Sequence, residues 1–237
     1  MKRVYDFLRN IAENNNREWF NSHKVEYEEA KTIFSMLVRD VIDRISGWDR
    51  DIADSNLTVK DVSYRFYRDI RFSKDKSPYK RHFGAYICKG GKKSPYAGYY
   101  LHIEPRSRRD DGAEAGSGLM GQSILAAGVH CPGREVLSSL KDEISVNGDS
   151  FLDAIAQAGG FELDYGNAMK RLPAGFDNVE ARWHDLLKLR DFDLFMPIEE
   201  STIFSPGFAD YICSNFRKCA EFNRIINLAV DFAIEQM

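Results

Sequence analysis

His102 and Glu104 stand two residues apart in the segment Gly98-Tyr-Tyr-Leu-His-Ile-Glu-Pro105. On an extended strand, alternate side chains share a face, so this imidazole and carboxylate point the same way. Such a pair can move a proton or activate water. With a third donor it can hold a divalent metal, and Asp69 or His82 would complete the set. Two ligands at that spacing arise easily by chance, so the sequence assigns no metal and names no cofactor. The candidate catalytic residues are therefore His102, Glu104 and, in a supporting role, Asp69.

A second chemical signal lies upstream, in Tyr64-Arg-Phe-Tyr-Arg-Asp-Ile-Arg-Phe-Ser-Lys-Asp-Lys-Ser-Pro-Tyr-Lys-Arg-His82. Its first half alternates, with Arg65, Tyr67, Asp69 and Arg71 on one side of a predicted strand and Tyr64, Phe66, Arg68, Ile70 and Phe72 on the other. Ser73 to Lys80 is a basic turn closed by Ser77-Pro78. Arg and Lys packed this densely beside Tyr favour an anion, most simply a phosphate. The expected ligand-binding residues are Arg65, Tyr67, Arg68, Arg71, Lys74, Lys76, Tyr79, Lys80, His82 and Tyr100. The competing reading is structural: Asp69 and Glu104 neutralise the arginines across the sheet.

The charge distribution agrees with a localised positive face. The chain carries a formal net charge of −3, yet Lys60 to Arg109 holds 14 Lys and Arg against 4 Asp and Glu. A basic middle between acidic flanks concentrates positive potential, although surface charges of this kind are also commonly just solvated.

These residues need a sheet to position them. Strand signals run from about Leu57 to Glu104, with Phe83–Cys88 and Ala97–Glu104 as strands around a Gly90-Gly91 hairpin turn whose tip carries Lys89, Lys92 and Lys93. Pro105 to Gly118 reads as a polar, mobile loop, and Leu119 to Val129 as a further strand weakened by Gly121 and Gly128. Helical periodicity flanks this region. Val4 to Glu13 is one helix, and Asn16 caps a long one ending at Gly47. Arg134–Ile144, Ser150–Ala158, Val179–Leu189 and Gly207–Gln236 follow, the last with a break near Cys219. The prediction is a single α+β domain over residues 1–237, with a mainly antiparallel sheet at about 57–130 between N-terminal and C-terminal helices.

Four cysteines show no C-x-x-C spacing, no apolar run of about 18 residues occurs, and Lys2, Arg3, Asp6 and Arg9 interrupt the N-terminus. Reduced thiols in a cytoplasmic protein without a membrane span are the expectation. Phosphate-binding loops, G-x-S-x-G and H-E-x-x-H are absent.

Asn14-Asn-Asn-Arg-Glu-Trp-Phe20, the motif from Arg65 to Lys80, Gly98 to Pro105 and Lys170-Arg-Leu-Pro-Ala-Gly-Phe-Asp177 together resemble one family, the conserved domain of unknown function 2461. The resemblance covers nearly the whole chain in the right order. It implies a single-domain, soluble protein of bacterial type and implies no activity. Lys141 stands where family members often have Arg.

The function favoured by the residues is binding of a phosphorylated small molecule or nucleotide at a basic, Tyr/His-lined sheet face, which would support hydrolysis or transfer. The alternatives are a nucleic-acid-binding module using the basic strands and the Lys92-Lys93 tip, and a scaffold for an acidic protein partner. Whether the chain is an enzyme, and its oligomeric state, are open at this point.

Overall fold

The structure is a computed structural model that describes residues 1–71, 73–106 and 121–236. The N-terminal helix α1 (Lys2–Glu13) buries Val4, Tyr5, Phe7, Leu8 and Ile11, the three- and four-residue spacing of one helical face. Asn16 caps α2 (Arg17–Ser22) by accepting from the Trp19 N–H, as its position predicts. The pattern from Asn16 to Gly47 does not form one helix. His23 (φ −111°, ψ 25°) separates α2 from α3 (Lys24–Ser46). Its ring stacks on Trp19 at 4.0 Å and places Nδ1 2.8 Å from the Trp19 carbonyl, a local side-chain bond that competes with the helical one. Gly47 then ends α3, and the short helices α4 (Arg50–Asp54) and α5 (Val59–Val62) lead to the sheet.

The sheet contains β1 (Phe83–Cys88), β2 (Gly98–Ile103), β3 (Ile124–Val129), β4 (Glu162–Leu163) and β5 (Phe192–Pro197). The order is β1-β2-β3-β5-β4, and every neighbouring pair is antiparallel. The fold is α+β, as the sequence reading has it. The predicted strands at 83–88 and 97–104 are present and pair in the register Gly84↔His102 and Tyr86↔Tyr100. The Gly90-Gly91 turn connects them with both glycines at positive φ.

Two strand assignments need correction. Residues 64–71 do not join the sheet as a strand. Isolated bridges are formed by Ser63 with Ala85, just before the segment, and by Tyr67 with Tyr79 within it. It folds back on its own turn, with the Arg68 N–H donating to Pro78 O and the Lys80 N–H to Phe66 O. The reason is a stronger local alternative. Phe66 and Tyr79 enter an aromatic cluster with Phe7, Phe20 and Tyr27, while Arg68 bonds Asp75, Ser73 and Ser77 O inside the loop. Conversely, the sheet extends past residue 130, because β4 and β5 complete it.

The C-terminal half is helical. The two helices expected at 134–158 form one element, α6 (Arg134–Gln157), kinked at Asn147 (φ −124°, ψ 31°). There the Trp183 ring packs on Gly148 so closely that a Cβ would meet it at 2.4 Å. The expected helix at 179–189 is reduced to a 3-10 turn at Ala181–Trp183 and α7 (His184–Leu187). After α8 (Glu200–Ile203), α9 (Phe208–Lys218) and α10 (Ala220–Glu235) break at Cys219, where the periodicity places the break.

One sheet face carries the core. Ala85, Ile87, Tyr99, Leu101, Ile103, Leu125, Ala127, Phe192 and Leu194 are buried in one cluster with apolar residues of α1, α3, α9 and α10. Among the described residues no helix is long and apolar enough to cross a membrane. Cys88, Cys213 and Cys219 are buried free thiols, and Cys131 is exposed.

Asn15 ties the N-terminal helices to the basic turn. Its amide donates to Tyr79 O at 2.9 Å and its carbonyl accepts from Tyr79 N at 3.1 Å. Asn15→Ala removes both bonds and is expected to destabilise the fold by about 1–3 kcal/mol in urea unfolding. Asn14→Ala, which loses only a bond to its own helix, is expected to cost less.

Candidate functional site

The second face of the sheet holds Gly84 and Tyr86 of β1, Tyr100 and His102 of β2, Ile124, Ala126 and Gly128 of β3, and Asp193 of β5, as the paired registers dictate. This face floors a cavity of about 390 Å³ whose walls include Tyr64, Tyr86, Tyr96 and Tyr100. That volume lies in the range of small-molecule pockets. Tyr86 lies across the floor, its hydroxyl within 2.7 Å of Gly128 O and 2.9 Å of Tyr96 O.

One end of the cavity is an imidazole–carboxylate cluster. His102 is 1 % exposed and Glu104 4 %. The Tyr100 hydroxyl and His102 Nδ1 are 2.9 Å apart, and His102 Nε2 is 2.9 Å from Glu104 Oε2. An ionised carboxylate only accepts, so in the neutral ring Nε2 carries the proton and Nδ1 accepts from Tyr100. A Cβ on Gly84 would meet the Tyr100 hydroxyl at 2.8 Å; glycine there leaves the room this chain of bonds requires. Glu104 is fixed by its own backbone. Its N–H donates to Ser123 Oγ at 3.0 Å, and Tyr5 of α1 holds Ser123 Oγ at 2.6 Å. The Gly121 N–H donates to Oε2 at 3.2 Å.

His82, just before β1, stacks against His102 with ring centroids 4.2 Å apart. Its Nδ1 lies 3.9 Å from Glu104 Oε2. Burial, then the neighbouring His102, pushes the His82 pKa down to about 3, so near neutral pH this contact is not an ion pair. Burial pushes the Glu104 carboxyl up, but the His102 hydrogen bond and the charges around it hold it below the ordinary carboxylate value. Burial raises the Tyr100 phenol. Arg81, at 3.7 Å from Glu104 Oε1 and half-exposed, borders the cluster. His82, His102 and Glu104 each offer a donor atom within 4.8 Å of the others, close enough that one metal ion could meet all three.

The other end lies four residues along β3, from the Ile124 row to the Gly128 row, roughly 13 Å away. His130 Nδ1 is 2.7 Å from Asp193 Oδ2 and 3.9 Å from Asp191 Oδ1. Asn167 and the Cys131 N–H bond Asp191. The hydrogen bond to Asp193 raises His130 to about 8. Asp193 is itself raised, because burial outweighs the attraction of His130. The sequence reading missed this cluster. Its signal is the period-2 run Asp191-Phe-Asp-Leu-Phe195, which places a carboxylate on the polar face of a buried strand.

The expected site residues divide into two groups. His82, Tyr100, His102 and Glu104 come together as the shared face requires. Arg65, Tyr67, Asp69 and Arg71 are not on that face, since their segment is not a sheet strand, and neither Arg65 nor Arg71 lines the cavity among the described residues. Asp69 is held below its ordinary value by hydrogen bonds from Arg71. Lys76 donates to Ile70 O, Tyr67 and Tyr79 pack on Phe20, and Lys74 is exposed. Lys80 is the exception in this segment. Its ammonium lies 5.2 Å over the ring of Tyr64, a cavity wall. Arg65 instead lines a groove beside α3 with Lys31, Arg39 and Lys60. Residues 107–120, which include most of the Pro105 to Gly118 loop, and Phe72 lie outside the described residues.

A family model described as conserved hypothetical protein (DUF2461) matches residues 3–224. No curated protein and no solved structure matches the chain.

The His130 contact has a pH signature. Its folded pKa lies above the ordinary 6.5, so the stability it contributes is fully present below about pH 6.5 and is lost as pH rises through about 8. An NMR titration of the His130 ring should give a value near 8 in the wild type and a clearly lower one in Asp193→Asn. Equal values in the two proteins would place the cause elsewhere.

Proposed function

We propose, for a chain that belongs to the DUF2461 family, that it binds a small phosphorylated molecule with a ring-shaped body, of nucleotide or phosphosugar type, on the second face of its sheet. The observation that carries this reading is the cavity itself: tyrosine walls over a floor that ends in a buried Tyr100–His102–Glu104 chain. Tyr64, Tyr86, Tyr96 and Tyr100 suit a flat body. Lys80 behind Tyr64 and Arg81 beside Glu104 supply positive charge at the same end, where an anionic group would sit. The chemistry such a site supports is proton transfer during hydrolysis or group transfer. Tyr100 and His102 would exchange the proton, and Glu104 would orient the imidazole and stabilise its charged form.

The basic segment 64–80 favours this reading over a nucleic-acid stripe. Half of its six cations are engaged inside their own loop, with Arg68 on Asp75, Arg71 on Asp69 and Lys76 on Ile70 O. They serve the turn and are not presented along one open track.

A thermal-shift screen tests the proposal, with nucleoside mono- and triphosphates, phosphosugars and short oligonucleotides as probes. A ligand at 100 times its Kd stabilises by about 2.7 kcal/mol. Stabilisation by a mononucleotide or phosphosugar is expected, abolished by Ala126→Phe, which fills the cavity floor, and unaffected by Lys74→Ala. Stabilisation by oligonucleotides alone, or a small-molecule response that survives Ala126→Phe, would contradict it.

A further inference from the structure

The geometry points to a divalent-metal site formed by His82, His102 and Glu104, beside the cavity that His102 lines. It deepens the cavity reading by naming what that end of the site holds, but metal binding by these residues does not depend on any cavity ligand.

Four observations carry it. First, the donor atoms converge: Oε2 of Glu104 is 2.9 Å from His102 Nε2 and 3.9 Å from His82 Nδ1. A tetrahedral ion with bonds of 2.0–2.1 Å separates its ligands by roughly 3.4 Å, a value these two distances bracket. Small rotations about the side-chain torsions would equalise them. Second, His82 makes no hydrogen bond among the described residues, although its side chain is only 15 % exposed and faces the carboxylate. Its ring is therefore available to a cation held between the two imidazoles and Glu104. Third, the surroundings orient the donors. The Tyr100 hydroxyl sits on His102 Nδ1; when an ion replaces the Nε2 proton the ring takes its other tautomer, Nδ1–H donates to the phenol oxygen, and the Nε2 lone pair is turned to the ion. The Gly121 N–H fixes Glu104, and Ser123 and Tyr5 fix the backbone that carries it. Such outer contacts are a regular part of metal sites.

Fourth, the donor set selects the ion. Two imidazoles and one carboxylate suit Zn²⁺, Fe²⁺, Mn²⁺ or Co²⁺ and are too nitrogen-rich for Ca²⁺ or Mg²⁺. Three protein ligands leave at least one position for water or for an anionic oxygen of a bound molecule. Of the three ligands His102 lines the cavity. The cluster of His130, Cys131 and Asp191 at the far end also brings donor atoms within 4.8 Å. It differs in being more open to water, with His130 and Cys131 exposed.

The test uses the full chain after chelator treatment and dialysis, titrated with Co²⁺ by visible absorption and with Zn²⁺ by calorimetry. One equivalent of each is expected, with Co²⁺ giving the d–d bands of nitrogen and oxygen ligation and no thiolate charge-transfer band. His82→Ala, which breaks no hydrogen bond, is expected to keep the circular dichroism of the wild type and to lose affinity at least about 100-fold, beyond the upper end of what outer-contact variants lose. Tyr100→Phe is expected to lose about 10–100-fold as a positioning residue. Cys131→Ser should leave the metal in place. The inference is overturned if the wild type binds neither ion, if His82→Ala binds as tightly as wild type, or if binding is lost in Cys131→Ser instead. Ala126→Phe separates the two readings, because it fills the cavity and replaces none of the three ligands. Absence of metal with cavity binding intact removes this inference alone.

Discussion

Taking the Glu104 carboxylate out of water is the constraint around which the polar half of this fold is arranged. An isolated buried carboxylate is strongly disfavoured unless it is paired and hydrogen-bonded. Here the offset comes from the His102 ring two residues back, from the Gly121 N–H and from the Arg81 guanidinium at the border of the cluster. Each partner imposes a requirement further out. His102 needs Tyr100 on its other nitrogen, and Tyr100 needs the missing side chain at Gly84. The backbone of Glu104 needs Ser123, and Ser123 is bonded by Tyr5 in the first turns of the chain. Residues from α1, β1, β2 and the lead into β3 are thus tied to one buried charge.

The sheet explains how these partners meet. Antiparallel pairing of β1 with β2 places His102 opposite Gly84, two residues from His82. The core face of the same strands is held by Tyr99, Leu101 and Ile103 against the helices. A shift of one residue would exchange the two faces, so the apolar packing that fixes the register also fixes the position of the imidazoles. At the far end the same register brings Asp193 of β5 beside Gly128 and within reach of His130. The cavity therefore has a buried, neutral-imidazole end and an exposed end at which a histidine is favoured in its charged form.

The sequence makes much of this legible where local pattern and tertiary fold agree. Phe83–Cys88 and Gly98–Ile103 alternate cleanly, and their faces follow from alternation alone, which brings His82, Tyr100, His102 and Glu104 together. The same alternation misleads at Tyr64–Phe72. There Phe66 and Tyr79 find aromatic partners on α1, α2 and α3, Pro78 lacks an N–H for a ladder, and Arg68 has Asp75 close at hand. Charge density beside a turn signalled an anion site, but Arg68 and Arg71 have local counterparts in Asp75 and Asp69, and Lys76 bonds its own loop. The far cluster was hidden for another reason. His130 and Asp193 are 63 residues apart, and β5 follows a stretch of mixed signals from Pro173 to Leu189. Its six residues read as a strand only once β3 is available to pair with them.

The central claim is that the second sheet face, and not the basic turn or the groove beside α3, is where this protein engages its ligand. The most direct measurement is amide NMR mapping of a fragment library of phosphorylated and aromatic compounds on the full chain. The account predicts shifts concentrated at Gly84, Tyr100, His102, Ala126 and Gly128, with the amides of Lys31, Arg39 and Arg65 unmoved. Shifts confined to the Lys31–Arg65 groove or to Lys74–Lys80, with the sheet face silent, would contradict it.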